Sequence, residues 1–136
     1  MKTTYMDYSA TTYVKPEVLD AMMPFFTEKF GNPSSFYGIS RETKMAIDNA
    51  RAQVAKAINC DPNEVYFTGG GSEADNWAIK GIATAHMKKG NHIITTKIEH
   101  HAVLHTCEFL EKFGFEVTYL DVNEEGFVDL KQLEEA

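Results

Sequence analysis

Cysteine, proline and long apolar runs are scarce in this 136-residue chain, and each scarcity removes a class of protein. The two cysteines, Cys60 and Cys107, stand far apart with no Cys-x-x-Cys or zinc spacing, so neither a disulfide framework nor a zinc ribbon is written here. No stretch approaches the roughly 18 apolar residues of a membrane span. Met1-Lys2-Thr3-Thr4-Tyr5 carries no apolar run of the signal-peptide kind. Both thiols are therefore expected to be reduced, in a cytoplasmic protein with no membrane association. Basic residues are the minority charge. Their 13 against 20 acidic residues leave −7, which argues against a nucleic-acid partner. An anionic ligand would have to be held by local geometry against that field.

What remains is ordinary globular composition, 43% hydrophobic and 24% charged, in a length that suffices for one domain. No repeat, low-complexity tract or Pro/Gly/Ser linker marks an internal boundary. The first dozen residues read as an extended arm. Pro16 fits the first turn of a helix running to about Lys29, which Gly31-Asn32-Pro33 cannot continue. A second helix is predicted over about Arg41 to Ile58, with Ile47, Ala50, Val54, Ala57 and Ile58 forming a buried face. Asp61-Pro62-Asn63 marks the turn after it.

The clearest pattern follows. Val65-Tyr66-Phe67-Thr68 reads as a strand, then come three glycines and a helix from about Ser72 to Lys88. His92-Ile93-Ile94-Thr95-Thr96 is a second strand, about Ala102 to Phe113 a helix, and Phe115-Glu116-Val117-Thr118-Tyr119 a third strand. Alternation at these spacings implies βαβ units and a parallel sheet, an α/β fold. Near the end, Asp129 with Gln132 three residues on reads as a capping box. A helix begun so close to Ala136 is the mark expected of a truncated chain.

Gly69-Gly70-Gly71-Ser72-Glu73 joins a strand to a helix, where free backbone N–H groups at the positive helix end suit a phosphate. Ser72 adds a hydroxyl donor. A tight turn alone would need glycine's dihedral freedom only once or twice. Gly69-x-Gly71-x-x-Ala74 also fits a loose dinucleotide fingerprint, but the next strand ends Thr95-Thr96-Lys97 without the required acidic residue. Glu99-His100-His101 follows that strand at the edge where parallel sheets bind ligands, and a histidine there can stack on a cofactor or move protons. As a loop residue, His100 is expected to matter little for stability. His101 and His105 stand at i, i+4, a metal spacing, but no third ligand is evident and no metal is expected. Cys107 falls on an apolar helical pattern and reads as a buried, inert thiol; Cys60 reads as structural.

Four motifs in order resemble the cysteine desulfurases of the NifS/IscS type, in the class V aminotransferase group. They are Tyr5-Met6-Asp7-Tyr8-Ser9-Ala10-Thr11-Thr12, Phe30-Gly31-Asn32-Pro33-Ser34-Ser35, Phe67-Thr68-Gly69-Gly70-Gly71-Ser72-Glu73-Ala74-Asp75-Asn76 and Ile98-Glu99-His100-His101-Ala102-Val103-Leu104. The resemblance spans essentially the whole chain. It implies the amino-terminal arm and first part of a large cofactor-binding domain, of the type I aminotransferase-like fold with a mostly parallel sheet, over residues 1–136. It implies pyridoxal 5'-phosphate, with the Gly71 backbone and Ser72 hydroxyl on its phosphate and His100 stacked on its ring as a proton-handling residue. The group more usually has Ala-Thr where this chain has Gly71-Ser72, a change that keeps the hydroxyl. Asn32 and Ala10-Thr11 are expected near the substrate entry.

The implied activity takes sulfur from L-cysteine, leaving alanine and an enzyme persulfide for iron–sulfur cluster assembly or thiolation. The implied partners are a sulfur acceptor or iron–sulfur scaffold protein and a second copy in a homodimer. The group's cofactor-anchoring lysine, ring-nitrogen aspartate, substrate arginine and persulfide cysteine belong to motifs that nothing here resembles, so the chain alone is expected to be inactive. A selenocysteine lyase or other class V enzyme would share nearly all the motifs. A non-catalytic module that keeps the phosphate turn only for binding or assembly is the alternative of another class.

Overall fold

In the computed structural model the described residues are 3–136; Met1 and Lys2, the start of the expected arm, lie outside them. Although no linker is written in the sequence, contacts gather into two units, one ending at Tyr66 and one beginning at Phe67.

In the first unit the arm is not uniformly extended, because Asp7 organises a turn. Its carbonyl accepts the Ala10 N–H at 3.1 Å, and its carboxylate accepts the Ser9 hydroxyl at 3.0 Å. The single helix expected up to Lys29 is two pieces, α1 (Pro16–Met22) and α2 (Pro24–Thr27). Pro24 is the cause: it has no N–H for the carbonyl four residues back, and its ring crowds that carbonyl. The long helix α3 spans Gly38–Ile58, three residues earlier than predicted at its start, and ends as predicted. It stops on Asn59 in the left-handed conformation, φ 57°. Its predicted buried face is not buried. Ile47 is half-buried and Ala50, Val54, Ala57 and Ile58 are exposed, while Ala55 is the buried apolar residue. Within its unit α3 packs chiefly on the one-turn 3-10 helix Pro62–Glu64, which is too short to cover a 21-residue face. That turn is closed by a reciprocal capping box, Asn63 N–H to Asp61 Oδ1 and Asp61 N–H to Glu64 Oε2, each 2.8 Å.

The second unit holds α4 (Gly71–His86), β1 (His92–Thr96), α5 (His101–Glu111), β2 (Glu116–Leu120) and α6 (Leu130–Glu135). β1 and β2 pair in parallel, His92 opposite Glu116 through Thr96 opposite Leu120, with α5 as the crossover. Among the described residues the sheet has two strands, not the three expected. Val65–Thr68 joins no ladder among the described residues. β-branched and aromatic side chains favour extended backbone, but a ladder also needs a neighbouring strand that takes its N–H and C=O groups in register.

The core of this unit forms where α5 lies over the strands: Cys107, Leu110, Phe115 and Leu120 are buried, with Thr106 beside them. Thr106 satisfies its hydroxyl by donating to the Ala102 carbonyl at 2.7 Å. Gly114, at φ 87°, makes the turn from α5 into β2, a conformation that side chains resist. Asp129 caps α6 as predicted, accepting the Lys131 N–H at 2.9 Å. Gln132 does not complete the box; its Oε1 instead accepts the Asp121 N–H at 3.0 Å, pinning the segment after β2 to α6. Among the described residues no helix is long and apolar enough to cross a membrane.

Candidate functional site

The glycine run enters α4 with the chain held by two side chains. Thr68 donates its hydroxyl to the Gly70 carbonyl at 3.1 Å, and the Gly69 N–H donates to Glu73 Oε2. The first intrahelical bond is Ala74 N–H to Gly70 O at 3.1 Å, so the N–H groups of Gly71, Ser72 and Glu73 lack an intrahelical acceptor. None of the three glycines lies in the left-handed region, and Gly70 is extended at φ 166°. A Cβ placed at Gly70 or Gly71 would meet nothing within 4 Å. Neither dihedral freedom nor local packing explains glycine at these two positions. The space in front of them leaves room for a ligand to approach the backbone.

The second helix start lies after β1. There Thr96 donates its hydroxyl to Glu99 at 3.3 Å, and His100 becomes the N-cap of α5. Its Nδ1 accepts the Ala102 N–H at 3.1 Å. The expectation that His100 is a bare loop residue is thereby corrected, since it satisfies one of the orphan donors of α5.

Ser72 and His100 line one open cleft of about 420 Å³ between α4 and α5. Asn76 and Lys80 share it from α4, and His101, His105 and Phe109 from α5. Sequence reading missed Asn76 and Lys80, which follow Ser72 at i+4 and i+8 on one helix face; that spacing was the available signal. The Asn76 amide donates to the Ser72 carbonyl at 2.9 Å, and Lys80 Nζ donates to Asn76 Oδ1 at 2.6 Å while lying 4.4 Å from the Phe109 ring centre. This fixes one positive charge in the cleft of an acidic protein.

His101 and His105 stack at 5.0 Å and 18°. Among the described residues no group of three His, Cys, Asp or Glu is placed to hold a metal ion. Asn32 and Ala10-Thr11 belong to the first unit, where Asn32 Oδ1 accepts the Ser34 N–H at 2.9 Å and closes a local turn.

Cys107 is buried, as its helical pattern predicts. Burial first, and then the carboxylates of Glu111, Glu108 and Glu99, push its thiol above the ordinary value of 9.0. The thiolate is the reactive form, so Cys107 is inert at neutral pH. Cys60 is half-buried. A thiol reagent at pH 8 is expected to label Cys60 in the native protein and Cys107 only after unfolding, as read by mass after digestion. Because the neutral thiol is the favoured form in the fold, this group's contribution to stability is intact below pH 9.0 and is lost as pH rises beyond it.

The class-V aminotransferase profile matches residues 4–136. The chain is 68% identical over 135 residues to cysteine desulfurase IscS of Clostridium botulinum (Type A, strain Hall), covering 99% of this chain and 34% of that protein. Against cysteine desulfurase IscS of Methanosarcina thermophila the identity is 58% over 135 residues, covering 99% and 33%. Among solved structures, a NifS-like protein is similar at TM-score 0.91 with 42% identity, over 95% of this chain and 35% of that one. The structure of SspA in complex with cysteine gives TM-score 0.92 with 42% identity, over 98% and 39%. The chain thus spans about a third of the length of the relatives it matches.

Proposed function

The chain belongs to the class-V aminotransferase family, and from that membership we propose that its α4–α5 cleft holds pyridoxal 5'-phosphate in a cysteine desulfurase. The observation that carries the cofactor reading is the start of α4. It offers unpaired N–H groups, a hydroxyl at Ser72 and open space in front of Gly70 and Gly71, with a histidine in the same cleft. These groups fit the cofactor's two ends. A dianionic phosphate takes backbone N–H donors and a hydroxyl at a positive helix end, and an aromatic ring takes a stacked imidazole.

Bound there, the cofactor supplies an electron sink for bonds at the substrate's α-carbon. This chain's residues bind and orient it. Gly71 and Ser72 would hold the phosphate, and His100 would stack on the ring and handle a proton. Lys80 would place positive charge locally in the cleft of a chain whose net charge, Lys80 included, is −7.

The relatives' printed activity and the cysteine-bound neighbour support cysteine as substrate, and in this reading the products are alanine and a persulfide. The buried Cys107 does not suit a sulfur carrier that must meet an acceptor, and the persulfide belongs on another cysteine of the whole protein. The sulfur then passes to an acceptor such as an iron–sulfur scaffold protein. In this reading residues 1–136 are the arm and first part of the large domain, and the whole protein is a cytoplasmic homodimer.

Ser72→Ala in the whole protein tests the phosphate site. A hydrogen bond to a charged acceptor contributes about 1.5–3 kcal/mol, so titration of the cofactor-stripped variant is expected to show affinity weakened about tenfold or more. Unchanged affinity would remove the phosphate from this turn.

A further inference from the structure

We propose that the backbone of α5 fixes the tautomer of His100, and that proton movement through this ring is coupled to uncapping the helix. The consequence for catalysis rests on the cofactor reading above; the tautomer rests only on the cap.

The Ala102 N–H donates to His100 Nδ1 at 3.1 Å. An amide N–H can donate only to a lone pair, so Nδ1 carries no proton. Neutral imidazole has one N–H, which is therefore on Nε2. No protein group takes that N–H among the described residues, and the ring lines the cleft. In its capped state His100 presents a hydrogen-bond donor to whatever the cleft holds, and not a base.

Two further limits follow from the same bond. A proton can be added to the neutral ring only at Nδ1, where the amide hydrogen already sits, so protonation must break the cap. Nor can the ring give up its Nε2 proton first, since that would leave an imidazolate. The Nε2 proton leaves only when Nδ1 has gained one, and the balanced step moves one proton in at Nδ1 and one out at Nε2. Each such step opens the first turn of α5. The Ala102 amide is thus a positioning group: it sets which ring nitrogen faces the reaction and makes proton uptake depend on the helix start.

Histidine is an uncommon N-cap. Asn, Ser and Thr bond the same amide without a second, titrating function, and the Asp carboxylate stays ionised near neutral pH. The charged and titratable groups around the ring are Glu99 before it, His101 at 6.3 Å between ring centres, His105 beyond it, and Lys80 from α4. Any of these can tilt the protonation equilibrium, but none replaces the acceptor that Ala102 requires.

Long-range proton–nitrogen NMR on labelled protein reads the tautomer directly. The neutral ring is expected to show Nδ1 as the unprotonated nitrogen and Nε2 as the protonated one; an Nδ1–H tautomer overturns the proposal. Amide exchange at Ala102 then reads the coupling. Protection is expected to fall roughly fivefold, the worth of an N-cap, as pH is lowered through the titration that the His100 ring itself reports. In His100→Asn, which caps at every pH, that fall should vanish. If it persists there, it comes from His101 or His105 and the coupling is wrong. Neither measurement uses the cofactor, so either can fail while the cofactor reading stands, and the reverse.

Discussion

Replacing His100 with alanine in the whole protein is expected to lower turnover about 100-fold or more, as loss of a proton-handling group does, and also to destabilise the fold. The second effect is what the structure adds. With the imidazole gone the Ala102 N–H loses its acceptor, and an N-cap removed in this way costs about 1 kcal/mol. His100→Asn divides the two effects. Asparagine accepts from the same amide, so stability should return to within a few tenths of the original. It has no ring to stack and no titrating nitrogen, so turnover should stay low. Thermal melts and alanine production on the same three proteins give the answer. Near-normal turnover in either variant would remove His100 from the chemistry, and equal stability of His100→Ala and the parent would remove the cap.

That division could not have been made from the residues alone. Glu99-His100-His101 after a strand points to the ligand edge of a parallel sheet, and the resemblance assigns His100 a ring to stack on. Nothing in a histidine's type announces an N-cap, because the bond depends on the rotation of the ring over the first turn of α5. Ser72 was legible for the opposite reason: a hydroxyl after three glycines at a helix start is a local pattern, and local pattern survives into the fold. Asn76 and Lys80 fall between these cases. Their spacing from Ser72 was visible, but only the structure shows that Phe109 of α5 turns Lys80 into the cleft wall.

The fold divides along the same line. β1 lies where its β-branched run places it, and α5 and β2 fall within two residues of expectation, since each depends on its own residues and its immediate neighbours. The misses are elements whose state depends on something distant. Val65–Thr68 has strand propensity but joins no ladder among the described residues, and the apolar stripe of α3 has helical period but stays largely exposed. Gln132 had a local partner on offer and took a distant one. Pro24 is the exception, a break that the residue's own chemistry dictates locally.

Gly31→Ala is expected to destabilise the first unit strongly, at the upper end of the roughly 1–3 kcal/mol that overpacking costs. In the sequence Gly31 is only a residue that ends a helix before Asn32-Pro33. In the structure it is buried, and a Cβ there would stand 2.7 Å from Ile39 C and Ser40 N and 2.8 Å from Ile39 O. All three atoms are backbone in the first turn of α3, so no side chain can swing aside. The glycine's own side of the contact cannot yield easily either. Asn32 Oδ1 holds the Ser34 N–H at 2.9 Å and the Asn32 carbonyl holds the Ser35 N–H at 3.0 Å, which fixes the loop that carries it. The start of a 21-residue helix must therefore move, or the loop must unpack. Gly38→Ala is the control, because a Cβ at Gly38 meets nothing within 4 Å and lies at the start of the same helix. It should be neutral, or stabilising by about 0.4–1 kcal/mol through the unfolded state. Denaturant unfolding followed by helical circular dichroism compares the two. If Gly31→Ala unfolds at the same midpoint as Gly38→Ala, the close approach of Gly31 to α3 does not hold in solution.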